Sequence, residues 1–140
     1  MNGPARIGSL EVRVFRVLII EDEPEILDLI GDLLTLEGYD VHTLRRIPHG
    51  LDQIRVLSPD AIVLDLRMPG LGGMELLRLL AADASLRRTP VVICSGATDL
   101  TRDYGPEIAT LGCEVVRKPF ELEDLIGSVR RAVWSSQSSW

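Results

Sequence analysis

Residues 61–70 read Ala61-Ile62-Val63-Leu64-Asp65-Leu66-Arg67-Met68-Pro69-Gly70. Four apolar residues stop on a carboxylate, and a loop with one proline and three glycines follows from Met68 to Gly73. The pattern is a strand buried on both faces that runs out into a turn, as the inner strands of a parallel sheet do. Outward from this stretch the same pattern recurs. Val14 to Ile20 is a β-branched run that ends on Glu21 and Asp22, Val91 to Cys94 ends on Ser95, and Glu114 to Arg117 ends on Lys118. A shorter strand is expected over Tyr39 to Leu44. Between the strands, apolar residues recur at helical spacing: Ile26, Leu29, Ile30, Leu33 and Leu34; then Leu51, Ile54 and Leu57; then Leu76, Leu77 and Leu80. Pro24 suits the first turn of the first helix and Gly38 its stop. Asp99 to Leu111 predicts a weaker helix, because Gly105-Pro106 interrupts it. Leu122, Leu125, Ile126, Val129 and Val133 form the last stripe. Strands alternating with helices five times predict an α/β domain with a parallel sheet covered on both faces.

The chain has 140 residues, room for one domain. Residues 1–13 show no sustained period and are expected to be an irregular leader; residues 14–134 form the domain; residues 135–140 are expected to be a flexible tail. With 15 basic and 21 acidic residues the formal net charge is −6, which disfavours a nucleic-acid surface. Fourteen of the cations are arginine, and the only lysine is Lys118. No segment approaches the ~20 apolar residues of a membrane span, and Val17 to Ile20 runs straight into acids, so a cytoplasmic location is expected. Cys94 and Cys113 make no metal-like pair and read as small buried thiols.

In an open parallel sheet, ligands bind beyond the carboxyl ends of the strands. Those ends deliver Glu21 and Asp22, Asp65, Ser95 and Lys118 to one rim. Two ionised carboxylates at 4 Å repel by about 4 kcal/mol at an effective dielectric near 20, so a cation has to offset them. Oxygen donors without His or Cys favour a hard ion, and one or two carboxylates with waters and phosphate oxygens are the usual Mg²⁺ arrangement. Lys118 is a mobile point charge for a phosphoryl oxygen, Ser95 a hydrogen-bond donor to another, and Asp65 the best-placed nucleophile.

Four segments, Val17-Leu18-Ile19-Ile20-Glu21-Asp22-Glu23, Ile62 to Gly70, Val92-Ile93-Cys94-Ser95-Gly96-Ala97 and Arg117-Lys118-Pro119-Phe120, together resemble the receiver domain of two-component response regulators. The resemblance extends over roughly residues 14 to 134. It implies a flavodoxin-like (βα)5 three-layer sandwich with strand order 2-1-3-4-5. It implies that Asp65 accepts a phosphoryl group from a sensor histidine kinase or a histidine phosphotransfer protein. Asp22, Asp65 and the Arg67 backbone carbonyl would bind Mg²⁺, with Glu21 assisting through water, while Ser95 and Lys118 hold phosphate oxygens. Ser95 would then move toward the phosphate and change binding to a downstream protein target. Three residues before the lysine, where the family commonly carries an aromatic switch residue, stands Val115. Arg67 and Ala97 occupy places that tune dephosphorylation in the family.

Glu23 and Glu25 read as acids that complement a helix N-terminus. His42 and His49 read as solvated or packing residues, and Arg87-Arg88 and Arg130-Arg131 as solvated faces. Only 20 residues follow Phe120, so a stand-alone receiver without a DNA-binding output domain is expected. A phosphatase of the haloacid dehalogenase type needs a second Asp two positions after its nucleophile, where this chain has Arg67. A flavodoxin proper would carry a phosphate loop where Glu21-Asp22-Glu23-Pro24 stands. A non-phosphorylated adaptor of the same fold is the remaining alternative, and the intact acid, hydroxyl and lysine set argues against it.

Overall fold

The computed structural model describes residues 5–7, 10–48, 50–66, 72–96 and 104–138. Strands β1 (Ala5–Ile7) and β2 (Leu10–Val12) precede β3 (Arg16–Ile20), α1 (Pro24–Leu36), β4 (Asp40–Leu44) and α2 (Asp52–Leu57). Next come β5 (Ala61–Leu64), α3 (Gly73–Ala82), β6 (Val91–Ser95), α4 (Gly105–Leu111), β7 (Glu114–Arg117) and α5 (Leu122–Ser138).

Strands β3 to β7 form a five-stranded parallel sheet in the order β4-β3-β5-β6-β7, which is 2-1-3-4-5 when β3 is counted first. Strand side chains alternate between faces. Leu18, Ile20, Ile62, Leu64, Val91 and Ile93 pack on one face against Ile54 of α2, Leu76, Leu77 and Leu80 of α3, and Ile108 of α4. Val17, Ile19, Ala61, Val63, Val92, Cys94 and Val116 pack on the other against α1 and α5. The unbroken apolar runs in the sequence are thus two interleaved cores. The chain steps from β3 to β4 on one side and returns to β5 on the other. The loops leaving β3 and β5 therefore diverge, and a crevice opens at the carboxyl ends of those two strands.

Two expectations at the chain ends need correction. Residues 5–7 and 10–12 are no irregular leader but an antiparallel pair, with Ala5 opposite Val12, Arg6 opposite Glu11 and Ile7 opposite Leu10. Three-residue runs are too short to show a period, and the usable signal was Gly8-Ser9 between them. Residues 135–138, expected to be a flexible tail, continue α5. Ser136 Oγ donates to the Val133 carbonyl, and Arg13 donates from Nη1 to Gln137 Oε1 at 2.6 Å while its Nη2 holds Asp60 at 3.2 Å. Gly105-Pro106 opens α4 instead of interrupting it, since in the first turn the missing proline N–H costs no bond. Residues 99–103 of that expected helix lie outside the described residues.

Gly73, the first residue of α3, is where the helix meets the segment that follows β5. Its N–H points at the Leu66 carbonyl, 3.4 Å away, and a Cβ placed there would lie 2.5 Å from the Leu66 Cα. That approach is closed to any side chain. We expect Gly73→Ala to force α3 off Leu66 and to cost about 1–3 kcal/mol of stability, as overpacking a core does. Urea unfolding of the two proteins measures it, and equal midpoints would contradict the close packing.

Candidate functional site

Glu21 and Asp65 are the first residues past their strands, and backbone bonds hold both in place. The Glu21 N–H donates to the Leu44 carbonyl and the Asp65 N–H to the Ile20 carbonyl, each at 3.1 Å. The sheet ladder thus continues one step beyond the strands and carries the two carboxylates into the crevice. Both are buried, Glu21 at 1% exposure and Asp65 at 5%. Asp22 beside them is half-buried. One carboxylate oxygen from each of Glu21, Asp22 and Asp65 lies within 4.8 Å of the others.

Lys118 follows β7 at the edge of the sheet. Its ammonium donates to Glu21 Oε1 at 2.8 Å and to Asp65 Oδ2 at 3.4 Å, reaching past the end of β6 to do so. Gly96 stands directly after β6, and a Cβ there would come within 3.3 Å of the Lys118 Cβ. The glycine thus leaves room for the lysine stem. The sequence reading did not single it out, although a glycine directly behind a strand end is a usable sign of close approach.

Burial pushes the Glu21 carboxyl up to about 7, the hydrogen bond from Lys118 opposes this, and the neighbouring Asp65 adds to it. For Lys118, burial pulls downward, but the hydrogen bond to Glu21 and the charges of Asp65 and Glu21 outweigh it and leave the ammonium raised. It is firmly cationic at neutral pH. One ammonium against three carboxylates leaves the cluster acidic. A set of oxygen donors alone, with no sulfur or imidazole, fits a hard divalent cation. Desolvation also pushes the buried Cys94 thiol up to about 12, which makes it inert packing beside the site.

The structure therefore brings Glu21, Asp22, Asp65 and Lys118 together. Ser95 is the last residue of β6, with its backbone in register with Arg117. The Ser95 side chain lies outside what is described, as do Arg67 and Ala97. Val115 is exposed on β7, apart from the cluster, and shares a groove with Phe120 and Gly127 of the α5 side. Glu23 stands at the N-cap position of α1, where its side chain makes no capping bond, and Glu25 lies in the first turn; both are exposed. His42 contacts the Asp40 carboxylate at 3.2 Å, away from the cluster. Arg45 and Arg46, which the sequence reading passed over, line a cleft together with Asp22.

Among known families, residues 17–130 match the response regulator receiver domain. The DNA-binding response regulator MtrA of Mycolicibacterium smegmatis is 31% identical over 115 residues, which are 82% of this chain and 49% of that protein. The uncharacterized transcriptional regulatory protein YkoG of Bacillus subtilis is 35% identical over 121 residues, 84% of this chain and 50% of that one. The chain thus spans about half the length of these curated relatives. A receiver domain structure from Clostridium thermocellum superposes with a TM-score of 0.74 at 28% identity, covering 89% of this chain and 98% of that one. Chemotaxis response regulator CheY4 of Vibrio cholerae gives the same TM-score at 23% identity, covering 85% and 98%, and supports the fold alone.

A carboxyl whose pKa is higher in the folded than in the unfolded protein binds its proton more tightly when folded. It costs stability above both values, and the cost disappears as pH falls to the unfolded one. For Glu21 that window runs from about 7 down to 4.5. Without divalent cations, Glu21→Gln should therefore melt above the parent at about pH 8, the gain shrinking as the pH is lowered through this window. Gln keeps an oxygen acceptor for Lys118. A gain independent of pH, or none, would rule out this source of strain; thermal denaturation across pH reads it.

Proposed function

The chain belongs to the response regulator receiver domain family, a family of signalling domains, and from this premise we propose that it accepts a phosphoryl group on Asp65. The observation that carries the reading is the buried Asp65 carboxylate, grouped with Glu21 and Asp22 within 4.8 Å and touched by Lys118 Nζ at 3.4 Å. A nucleophile, a cation seat and a fixed positive charge share one crevice. The donor is a phosphohistidine of a sensor histidine kinase or of a histidine phosphotransfer protein in the cytoplasm. An Asp65 oxygen bonds to phosphorus as the phosphorus–nitrogen bond breaks. The electron pair leaves with the imidazole, which is protonated from solvent.

Asp22, Asp65 and Glu21 are the residues that would hold Mg²⁺, with the Arg67 carbonyl as a further ligand; when bound, the ion supplies positive charge against phosphoryl oxygens. Lys118 holds one of those oxygens and Ser95 donates to another. The protein's contribution is positioning and neutralisation of an in-line displacement. The domain assists its own phosphorylation and loses the group slowly by hydrolysis. Its output is a shift between two packings that alters binding to a downstream protein. With Val115 in place of an aromatic, that shift runs without an aromatic swing on β7.

Incubation with acetyl phosphate and Mg²⁺ followed by intact-mass measurement tests the reading. The parent should gain one phosphoryl group, while Asp65→Asn, or the parent in EDTA, should gain none. A parent that gains nothing from several donors would favour the adaptor alternative. The parent should change its hydrogen exchange across residues 104–138 on phosphorylation, whereas Lys118→Ala should still accept the group and lose that change. An unchanged exchange response in that variant would remove the role assigned to the lysine.

A further inference from the structure

The crevice is acidic, yet the donor it must admit is an anion. Glu21, Asp22 and Asp65 face one ammonium from Lys118, and Glu23 and Glu25 stand exposed at the start of α1. A cation in the seat would offset the three carboxylates there, but Glu23 and Glu25 outside it still repel a phosphorylated donor on its way in unless some part of the rim attracts it. Arg45 and Arg46 are so placed. They are the two residues after β4, whose last residue, Leu44, pairs with Ile20 and accepts the Glu21 N–H. Both are exposed, and together with Asp22, Thr43, Ile47 and Gln53 they line an open cleft that leads off the cation seat.

These two arginines differ from six others. Arg13, Arg16, Arg55, Arg78, Arg130 and Arg131 each hold a carboxylate partner. Among the described residues Arg45 and Arg46 hold none, and neither do Arg87, Arg88 and Arg117; of these five, Arg45 and Arg46 are the two that line the cleft with Asp22. Two adjacent exposed guanidinium groups without a carboxylate partner are free to meet an anionic ligand. Thr43 and Gln53 add hydrogen-bonding groups to the same walls.

We propose that Arg45 and Arg46 form an anion-capturing rim that draws the negatively charged phosphodonor into the crevice from the Asp22 side. This rests on the phosphoryl-acceptor reading of Asp65 and adds a residue pair that sets donor preference and capture rate. The pair acts through its field, so its effect is strongest at low ionic strength and fades once the Debye length falls to a few ångströms.

The test compares the parent with Arg45→Gln/Arg46→Gln in the presence of Mg²⁺, using acetyl phosphate and the less negatively charged phosphoramidate, each at ionic strengths of about 0.01 M and about 1 M. The rate of phosphoryl gain is followed by mass. With acetyl phosphate at low ionic strength the variant should be slower by roughly tenfold, at the lower end of what electrostatic steering supplies. High salt should bring the two proteins together, and phosphoramidate should show the smaller difference. Arg45→Lys/Arg46→Lys should keep most of the parent rate. Equal rates of parent and Gln variant with acetyl phosphate at low salt would overturn the proposal. So would an equal loss with both donors that persists at high salt, since that pattern marks a damaged site. A parent that reacts with neither donor would instead overturn the Asp65 reading beneath it.

Discussion

Everything in this molecule is arranged around carboxylates that an apolar sheet delivers into near-complete burial. Glu21 and Asp65 each follow four consecutive apolar strand residues, Val17 to Ile20 and Ala61 to Leu64, and the ladder bonds to Leu44 and Ile20 keep them from turning out to water. An unbalanced buried charge is costly, so a partner has to be built in. Lys118 is that partner, brought from the far edge of the sheet by β7 and given passage by Gly96. Its ammonium replaces part of the lost hydration without quenching the cluster, which therefore stays receptive to a divalent cation. The same excess of acid that makes the crevice a cation seat makes it repellent to phosphate. The rim proposed beyond β4 would ease that conflict.

Much of this was legible in the letters because it follows from short-range patterns. Four apolar residues that end on Asp65, and similar runs that end on Glu21 and Ser95, specify two-sided burial and place the polar groups at strand ends. The parallel sheet makes those ends a common rim. The pairing of Lys118 with Glu21, across 97 positions, was legible only as a shared rim, since no local pattern encodes which side chain reaches which. Gly73 and Gly96 went unread for the same reason. A glycine can hint at close approach, but it does not name the neighbour that comes close. Arg45 and Arg46 sit in a connection without a period of its own, where one sees charge but not what the charge faces.

The chain ends show the reverse failure. Three-residue strands fall below the length at which alternation can be recognised, so β1 and β2 read as irregular. The serines near the end of α5 read as frayed because their helix propensity is modest. Long-range contacts prevailed there: Arg13 bridges Gln137 and Asp60, which ties the segment before β3 to the last turns of α5 and to the start of β5.

The seating of Gly73 on Leu66 has a kinematic consequence. With no side chain between helix and backbone, there is little slack to absorb displacement of the residue next to Asp65. Further along the same helix, Arg78 grips both carboxylate oxygens of Glu107 on α4 and lies 5.9 Å from the centre of the Tyr104 ring. Such an exposed ion pair contributes little to stability. Its worth is geometric: α3 rests on Leu66 at its first residue and clasps α4 from its middle, which makes one rigid element the link between the residue beside Asp65 and an exposed helix.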